Sequence, residues 1–363
     1  MSRPSGGSFL TKMNGGDVSK TGDIHIRKDG RAGRMTLNRP QALNALTYKM
    51  CGAIDAALTA WADDDTIALL IIDAEGDRAF CSGGDIAEMY ASGTAGDFAY
   101  GRQFWADEYT MNARLFNFPK PVISLMQGFT MGGGVGVGCH ASHRVVCEGS
   151  QIAMPECGIG LVPDVGGSLI LARAPGRLGE YLGTTAARMG PGDAIHAGFA
   201  DYFVPREMWA ELVKELCETG DWEAVDRAAL GAPDSPMAAL ADQIDYGFSG
   251  ETLRDIHIDL THAGSDFAKQ ALARMARNSP LSMACAVEII HRVRHRQRID
   301  FALDMEYRFT WRAMEHGDFI EGIRAAIIDK DRSPKWRHGA MTDVAPVEVS
   351  RMLMPLGADG LKL

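Results

Sequence analysis

Two glycine clusters carry the first chemistry that can be read from this chain. They are Phe80-Cys81-Ser82-Gly83-Gly84-Asp85 and Met131-Gly132-Gly133-Gly134-Val135-Gly136. Glycine lets a backbone approach a ligand closely, and free N–H groups at the start of a helix favour negative charge. Two such loops facing each other can aim two N–H groups at one oxygen, which is an oxyanion hole. A tight turn with close helix packing is the plainer reading of either cluster alone. Neither is a P-loop, because no Gly-Lys-Ser/Thr ending follows, and neither is a dinucleotide fingerprint.

Acidic residues come next. Glu156 follows Met154-Pro155, and Asp164 lies eight residues beyond it. By position alone Asp164 reads as the N-cap of the apolar helix after Val165-Gly166-Gly167-Ser168. Glu108, on an amphipathic stretch, reads as a solvated face residue. His140 and His143 form an HxxH pair with no third ligand in view, so both read as structural and no metal is expected. Cys157 adjoins Glu156 and Cys81 lies in the first glycine cluster, but neither has a paired base, so both read as small buried residues.

These groups need a frame. Residues 24–37 alternate apolar and polar around Asp29-Gly30, which predicts a hairpin. Residues 43–62 have helical spacing. The runs 67–73, 121–127 and 143–147 predict buried strands, with a helix at 135–141. Strands alternating with helices make an α/β core of residues 24–205. Residues 206–363 show mostly amphipathic helix patterns, and residues 1–23 read as a flexible N-terminal tail.

Composition narrows the function classes. The chain has 363 residues, 46% hydrophobic and 23% charged, as globular proteins do. Its 37 basic against 47 acidic residues leave a net charge of −10, which counts against a dedicated nucleic-acid binder. The basic run His291-Arg292-Val293-Arg294-His295-Arg296-Gln297-Arg298 is the one feature that favours RNA, and it reads first as a solvated helix face. Seven cysteines without a CxxC pair suggest free thiols in a reducing compartment, hence a cytoplasmic protein. No apolar run is long enough to span a bilayer, so no membrane partner is expected.

The motifs in order resemble a known family. Asn38-Arg39-Pro40, Ala42-Leu43-Asn44-Ala45-Leu46, Arg78-Ala79-Phe80-Cys81-Ser82-Gly83-Gly84-Asp85-Ile86, Lys120-Pro121-Val122 through Gly134, and Met154-Pro155-Glu156 with Gly160 resemble the crotonase (enoyl-CoA hydratase/isomerase) superfamily. Within it, Ala153 through Gly167, Asp107-Glu108-Tyr109, Met305-Glu306-Tyr307-Arg308 and the stretch Phe319–Trp336 are similar to the 3-hydroxyisobutyryl-CoA hydrolase family.

The resemblance implies a crotonase-like ββα spiral core with a helical C-terminal region. It implies that the N–H groups of Gly84 and Gly133 hold a thioester oxygen. Coenzyme A, part of the substrate rather than a separate cofactor, is implied to lie along Ala42, Asn44, Ala45, Gly83, Gly84, Asp85 and Ile86. Hydratases of the superfamily carry two glutamates; one position aligns with Glu156 and the other with Gly136, where the carboxylate is absent. A single carboxylate is poorly equipped for hydration. By resemblance Glu108, Glu156 and Asp164 line the acyl pocket, with Glu156 as nucleophile or general base. Hydrolysis of a short 3-hydroxyacyl-CoA thioester in valine breakdown is the implied function, and a trimer or dimer of trimers the implied assembly. An enoyl-CoA hydratase or isomerase working with Glu156 alone, and a non-catalytic RNA-binding relative, are the competing readings.

Overall fold

The computed structural model describes residues 22–363, so the predicted tail lies almost wholly outside the described residues. Strands β1 (Ile24–Asp29) and β2 (Ala32–Leu37) form the antiparallel hairpin, closed through Gly30 at φ +57°. Helix α1 (Tyr48–Trp61) begins where the Thr47 side chain accepts the Met50 N–H, and it buries Met50, Ile54, Leu58 and Trp61 along one face. Then come β3 (Leu69–Ala74), β4 (Ala79–Cys81), α2 (Ala99–Phe116), β5 (Val122–Met126), β6 (Phe129–Met131), α3 (Gly133–Gly138), β7 (His143–Val146), β8 (Gln151–Ala153), α4 (Gly167–Arg173) and β9 (Tyr202–Phe203).

The strands form two sheets. The larger runs β1-β2-β3-β5-β7-β9 and the smaller β4-β6-β8. Apart from the β1–β2 hairpin, every pairing in them is parallel. Each turn of chain places one strand in the large sheet and the next in the small one. After β4 two helices (residues Ala87–Thr94 and α2) and after β6 one (α3) carry the chain back. This is the expected ββα spiral. β3 and β5 are largely apolar, with Asp73 and Ser124 as the polar exceptions, because both of their faces are covered. Leu69, Ile71, Ile123 and Leu125 pack toward Trp209, Leu212 and Leu216 of α5 (Trp209–Thr219), while Leu70, Ile72, Val122 and Met126 face the main core.

All strands of the described residues lie before residue 205, and helices follow. The main core nevertheless runs without interruption from Met35 to Leu353. It includes the inner faces of α6 (Pro280–Arg294) and α7 (Ile299–His316). The C-terminal helices therefore complete the core around the spiral.

Helix α3 begins at Gly133, two residues before the predicted start. Its glycines are required by contact. A Cβ at Gly134 would meet the Cys81 carbonyl oxygen at 2.3 Å, and one at Gly138 would meet Met126 Sδ at 2.7 Å. Side chains there would push α3 off β4 and β5.

Candidate active site

The two glycine clusters meet. The chain after β4 runs beside residues 43–46: Ser82 N–H donates to the Leu43 carbonyl (3.0 Å), Leu46 N–H to that of Gly83 (2.8 Å) and Asp85 N–H to that of Leu46 (2.7 Å). Gly132 has φ +50° and ψ −121°, a conformation open to glycine. A Cβ at Gly133 would lie 3.4 Å from the Gly84 nitrogen. Neither the Gly84 nor the Gly133 N–H has a hydrogen-bond partner among the described residues. Two neighbouring free donors, one at the first residue of a helix, can hold a developing oxyanion.

Carboxylates surround these donors. A Cβ at Gly132 would lie 3.0 Å from Glu156 Oε1, and one at Gly133 would lie 3.1 Å from Glu108 Oε1. Glu156 is presented by a short 3-10 turn (Glu156–Ile159), and Glu108 by α2. Both are buried, and Glu156 Oε2 has no partner among the described residues. Asp164 is buried too and accepts a hydrogen bond from the Tyr109 hydroxyl at 2.7 Å. It does not cap α4, whose N-cap is Gly166. That cap is supplied from the far end of the chain: Glu306 of α7, fully buried, accepts from Gly166 N–H (2.8 Å) and Ser168 N–H (3.1 Å), and also bonds the Ser168 hydroxyl.

Four buried carboxyls with no cation bonded to any of them among the described residues cannot all ionise freely. Burial, then the Asp164 charge, pushes Glu108 up to about 8. Burial pushes Asp164 up to about 7 even though the Tyr109 hydrogen bond opposes it. Burial and the nearby Asp164 charge hold Glu156 well above the usual carboxylate range. Burial lifts Glu306 to about 8 against its three hydrogen bonds. A raised carboxyl binds its proton more tightly folded than unfolded, so its contribution to stability falls as pH climbs from the unfolded value to the folded one. Glu108→Gln is therefore expected to raise Tm by about 2–5 °C at pH 9 and by little at pH 5. Paired thermal melts at the two pH values check this; equal shifts would show that Glu108 titrates normally.

The Gly136 position is closed as well as lacking a carboxylate. A Cβ there would meet Asn112 Nδ2 at 2.7 Å and Val165 Cβ at 2.9 Å. Val165 itself sits at φ +54°. That is a rare conformation for a β-branched residue and costs about 1–2 kcal/mol.

Residues 32–353 match the family model described as Enoyl-CoA hydratase/isomerase. The chain belongs to the enoyl-CoA hydratase/isomerase family. It is 36% identical over 352 residues to the mitochondrial 3-hydroxyisobutyryl-CoA hydrolase of Gallus gallus, covering 94% of this chain and 91% of that protein. It is 35% identical over 355 residues to the one of Homo sapiens, covering 94% and 90%. Among solved structures, an enoyl-CoA hydratase from Rhodobacter sphaeroides is 56% identical with a TM-score of 0.90, covering 94% of this chain and all of that one. A carnitinyl-CoA dehydratase from Mycobacterium thermoresistibile is 37% identical with a TM-score of 0.88, covering 92% and 97%.

Within this family member, the fold brings Gly84, Gly133, Glu108 and Glu156 together, with Asp164 near enough to raise both glutamates. Along the segment assigned to coenzyme A, Ala42, Ala45, Gly84, Asp85 and Ile86 are partly exposed, while Gly83 is buried at φ +119°. Asn44 departs from the expectation of a coenzyme A contact: its amide bonds the Arg39 N–H and the Glu75 and Ala79 carbonyls, its own N–H bonds the Arg39 carbonyl at 2.9 Å, and the residue is buried, so it braces the segment from inside. Tyr109 and Glu306 are the groups that sequence reasoning passed over; both lie inside motifs that carry the family resemblance. Cys157 is buried beside Glu156, and burial holds its thiol protonated, so it is no nucleophile. The basic run is engaged within the fold. His291 and Arg294 bond buried Glu180, Arg292 bonds Glu288, Arg298 bonds Asp300, and Arg296 lies over the Phe301 ring.

Proposed function

We propose that this protein hydrolyses a short 3-hydroxyacyl-CoA thioester, with 3-hydroxyisobutyryl-CoA as the best candidate and valine breakdown as its setting. The observation that carries this reading is the packing at Gly136. Hydration in this family draws on a second glutamate at that place, and Val165 and Asn112 fill the space it would need. Hydrolase relatives matched over nearly the whole of both chains support the same choice. The two solved relatives are named for hydration and dehydration, chemistry for which this site keeps only Glu156 of the pair.

The steps follow from the geometry. The Gly84 and Gly133 N–H groups polarise the thioester carbonyl, each contributing about 3 kcal/mol to the transition state. Ionised Glu156 then attacks the carbonyl carbon and the C–S bond breaks, expelling coenzyme A as its thiolate and leaving an anhydride that water opens to the hydroxy acid and free Glu156. In the alternative order Glu156 takes a proton from water as the water attacks. Asp164, aimed by Tyr109, holds the substrate 3-hydroxyl or the water, and Glu108 completes that network. With no acid at position 136, the β-hydroxyl is not eliminated.

The test is thiol release from 3-hydroxyisobutyryl-CoA, with enoyl-thioester absorbance followed in parallel. Thiol release without an enoyl signal is expected. Reversible enoyl absorbance change without thiol release would overturn the hydrolase reading. The pH dependence has a definite sign. Glu156 works ionised and burial with the nearby Asp164 charge holds it well above the usual carboxylate range, so kcat/KM is expected to rise with pH on an acid limb displaced above that range and belonging to the coupled carboxyls as a set. A rate that is flat from pH 5 to pH 8 would count against a buried carboxylate as the attacking group or base.

A further inference from the structure

We propose that His140 is a positioning residue: it holds the backbone of Val165 in its left-handed conformation and so aims Asp164 at the reacting centre. The inference rests on the role given to Asp164 above, and its test separates the two.

The turn from Asp164 to Ser168 is anchored at three points. Tyr109 bonds the Asp164 carboxylate, and Glu306 bonds the Gly166 and Ser168 N–H groups. The third anchor is His140, whose Nε2 lies 2.7 Å from the Val165 carbonyl oxygen. A carbonyl only accepts, so Nε2 carries the hydrogen. The imidazole is buried, with the Phe116 ring edge-on at 5.7 Å. Burial pushes its pKa down to about 4, with the Arg144 and Arg173 charges acting the same way, so it stays a neutral donor.

Val165 is the residue that needs restraint. Valine at φ +54° relaxes toward negative φ unless something holds the peptide. Relaxation would rotate the Val165 carbonyl away from His140 and draw Asp164 off Tyr109. It would also withdraw the valine side chain from Gly136. The contact is too close to be incidental: a Cβ at Gly166 would meet His140 Nε2 at 2.5 Å. His140 bonds the backbone of Val165 and reaches Asp164 only through that backbone, so its effect falls on geometry.

The experiment compares His140→Leu, His140→Gln, Val165→Gly and the double variant His140→Leu/Val165→Gly in the full-length protein. His140→Leu is expected to lower kcat for thiol release by about 30-fold with KM changed by less than about threefold, since a misplacement of about 1 Å can cost that much. His140→Gln keeps an amide donor where Nε2 stood and is expected to recover activity to within about threefold of wild type. In the Val165→Gly background the left-handed turn carries no penalty, so adding His140→Leu there is expected to cost less than about threefold. Equal losses in the Leu and Gln variants, or the same loss from His140→Leu in the Val165→Gly background as in the wild type, would overturn the proposal. Amide hydrogen exchange reads the turn without catalysis. His140→Leu is expected to speed exchange of Gly167, whose N–H bonds the Asp164 carbonyl at 2.7 Å, by about tenfold while β5 is unchanged. Unchanged exchange at Gly167 would overturn the proposal. Absence of thiol release from the wild type would overturn the functional reading alone, and exchange would still decide the role of His140.

Discussion

Replacing Glu156 by Gln is expected to lower kcat for thiol release about 10³-fold while the protein stays folded. Gln keeps the shape of the side chain and removes the charge that attacks or takes the proton. Glu156 Oε2 has no hydrogen-bond partner among the described residues, so an amide nitrogen placed there breaks no protein contact. Removing a buried group that resists ionisation should leave Tm at neutral pH equal or higher, by the same linkage that governs Glu108. Loss of rate with preserved Tm is therefore the signature of a functional carboxylate. A variant that keeps more than about a tenth of the rate would remove Glu156 from the mechanism. Solvent oxygen-18 found in residue 156 after a single turnover would establish an anhydride opened at the Glu156 carbonyl, since general-base catalysis places the label in the acid product alone.

The second large effect is expected at Gly136. Supplying the glutamate that hydratases use, by Gly136→Glu, should destabilise the fold by about 3 kcal/mol or more and give no enoyl-CoA hydration. The first added carbon already lies 2.7 Å from Asn112 Nδ2 and 2.9 Å from Val165 Cβ. Beyond it the carboxylate would join four buried acids. Gly136→Ala should cost about 1–3 kcal/mol by overpacking alone. Chemical denaturation of both variants, with enoyl absorbance assayed on each, measures this. A Gly136→Glu protein of wild-type stability that hydrates an enoyl thioester would show that one residue, and not the packing around it, separates the two chemistries.

Much of the large sheet was legible. The apolar runs at 67–73, 121–127 and 143–147 became β3, β5 and β7 with ends shifted by a residue or two, because strands covered on both faces leave a contiguous apolar signature. The small sheet was not. Its strands β4, β6 and β8 are three residues each, too short to show a period, and two of them overlap or abut the glycine clusters. Of the site, the glycine clusters and Glu156 could be picked out by type and position. Glu108 could not, because a glutamate on an amphipathic helix ordinarily faces water. Here α2 turns it inward against Gly133. Asp164 was ambiguous for a related reason: an acid before a helix is by composition a cap, and the cap arrives instead from Glu306, about 140 residues further along.

The sequence by itself determined the family through its motif order, the spiral that membership implies, and the two glycine loops as such, since these depend on local conformation and on motif order. Tertiary structure decided the rest. The proton affinities of Glu108, Glu156, Asp164 and Glu306 arise from shared burial among residues drawn from α2, the turn after β8, the start of α4 and α7. The closure of the Gly136 position arises from a strained valine 29 residues away in sequence. Burial and steric exclusion belong to the assembled core, where distant segments share one low-dielectric, filled volume, and no window of sequence contains them.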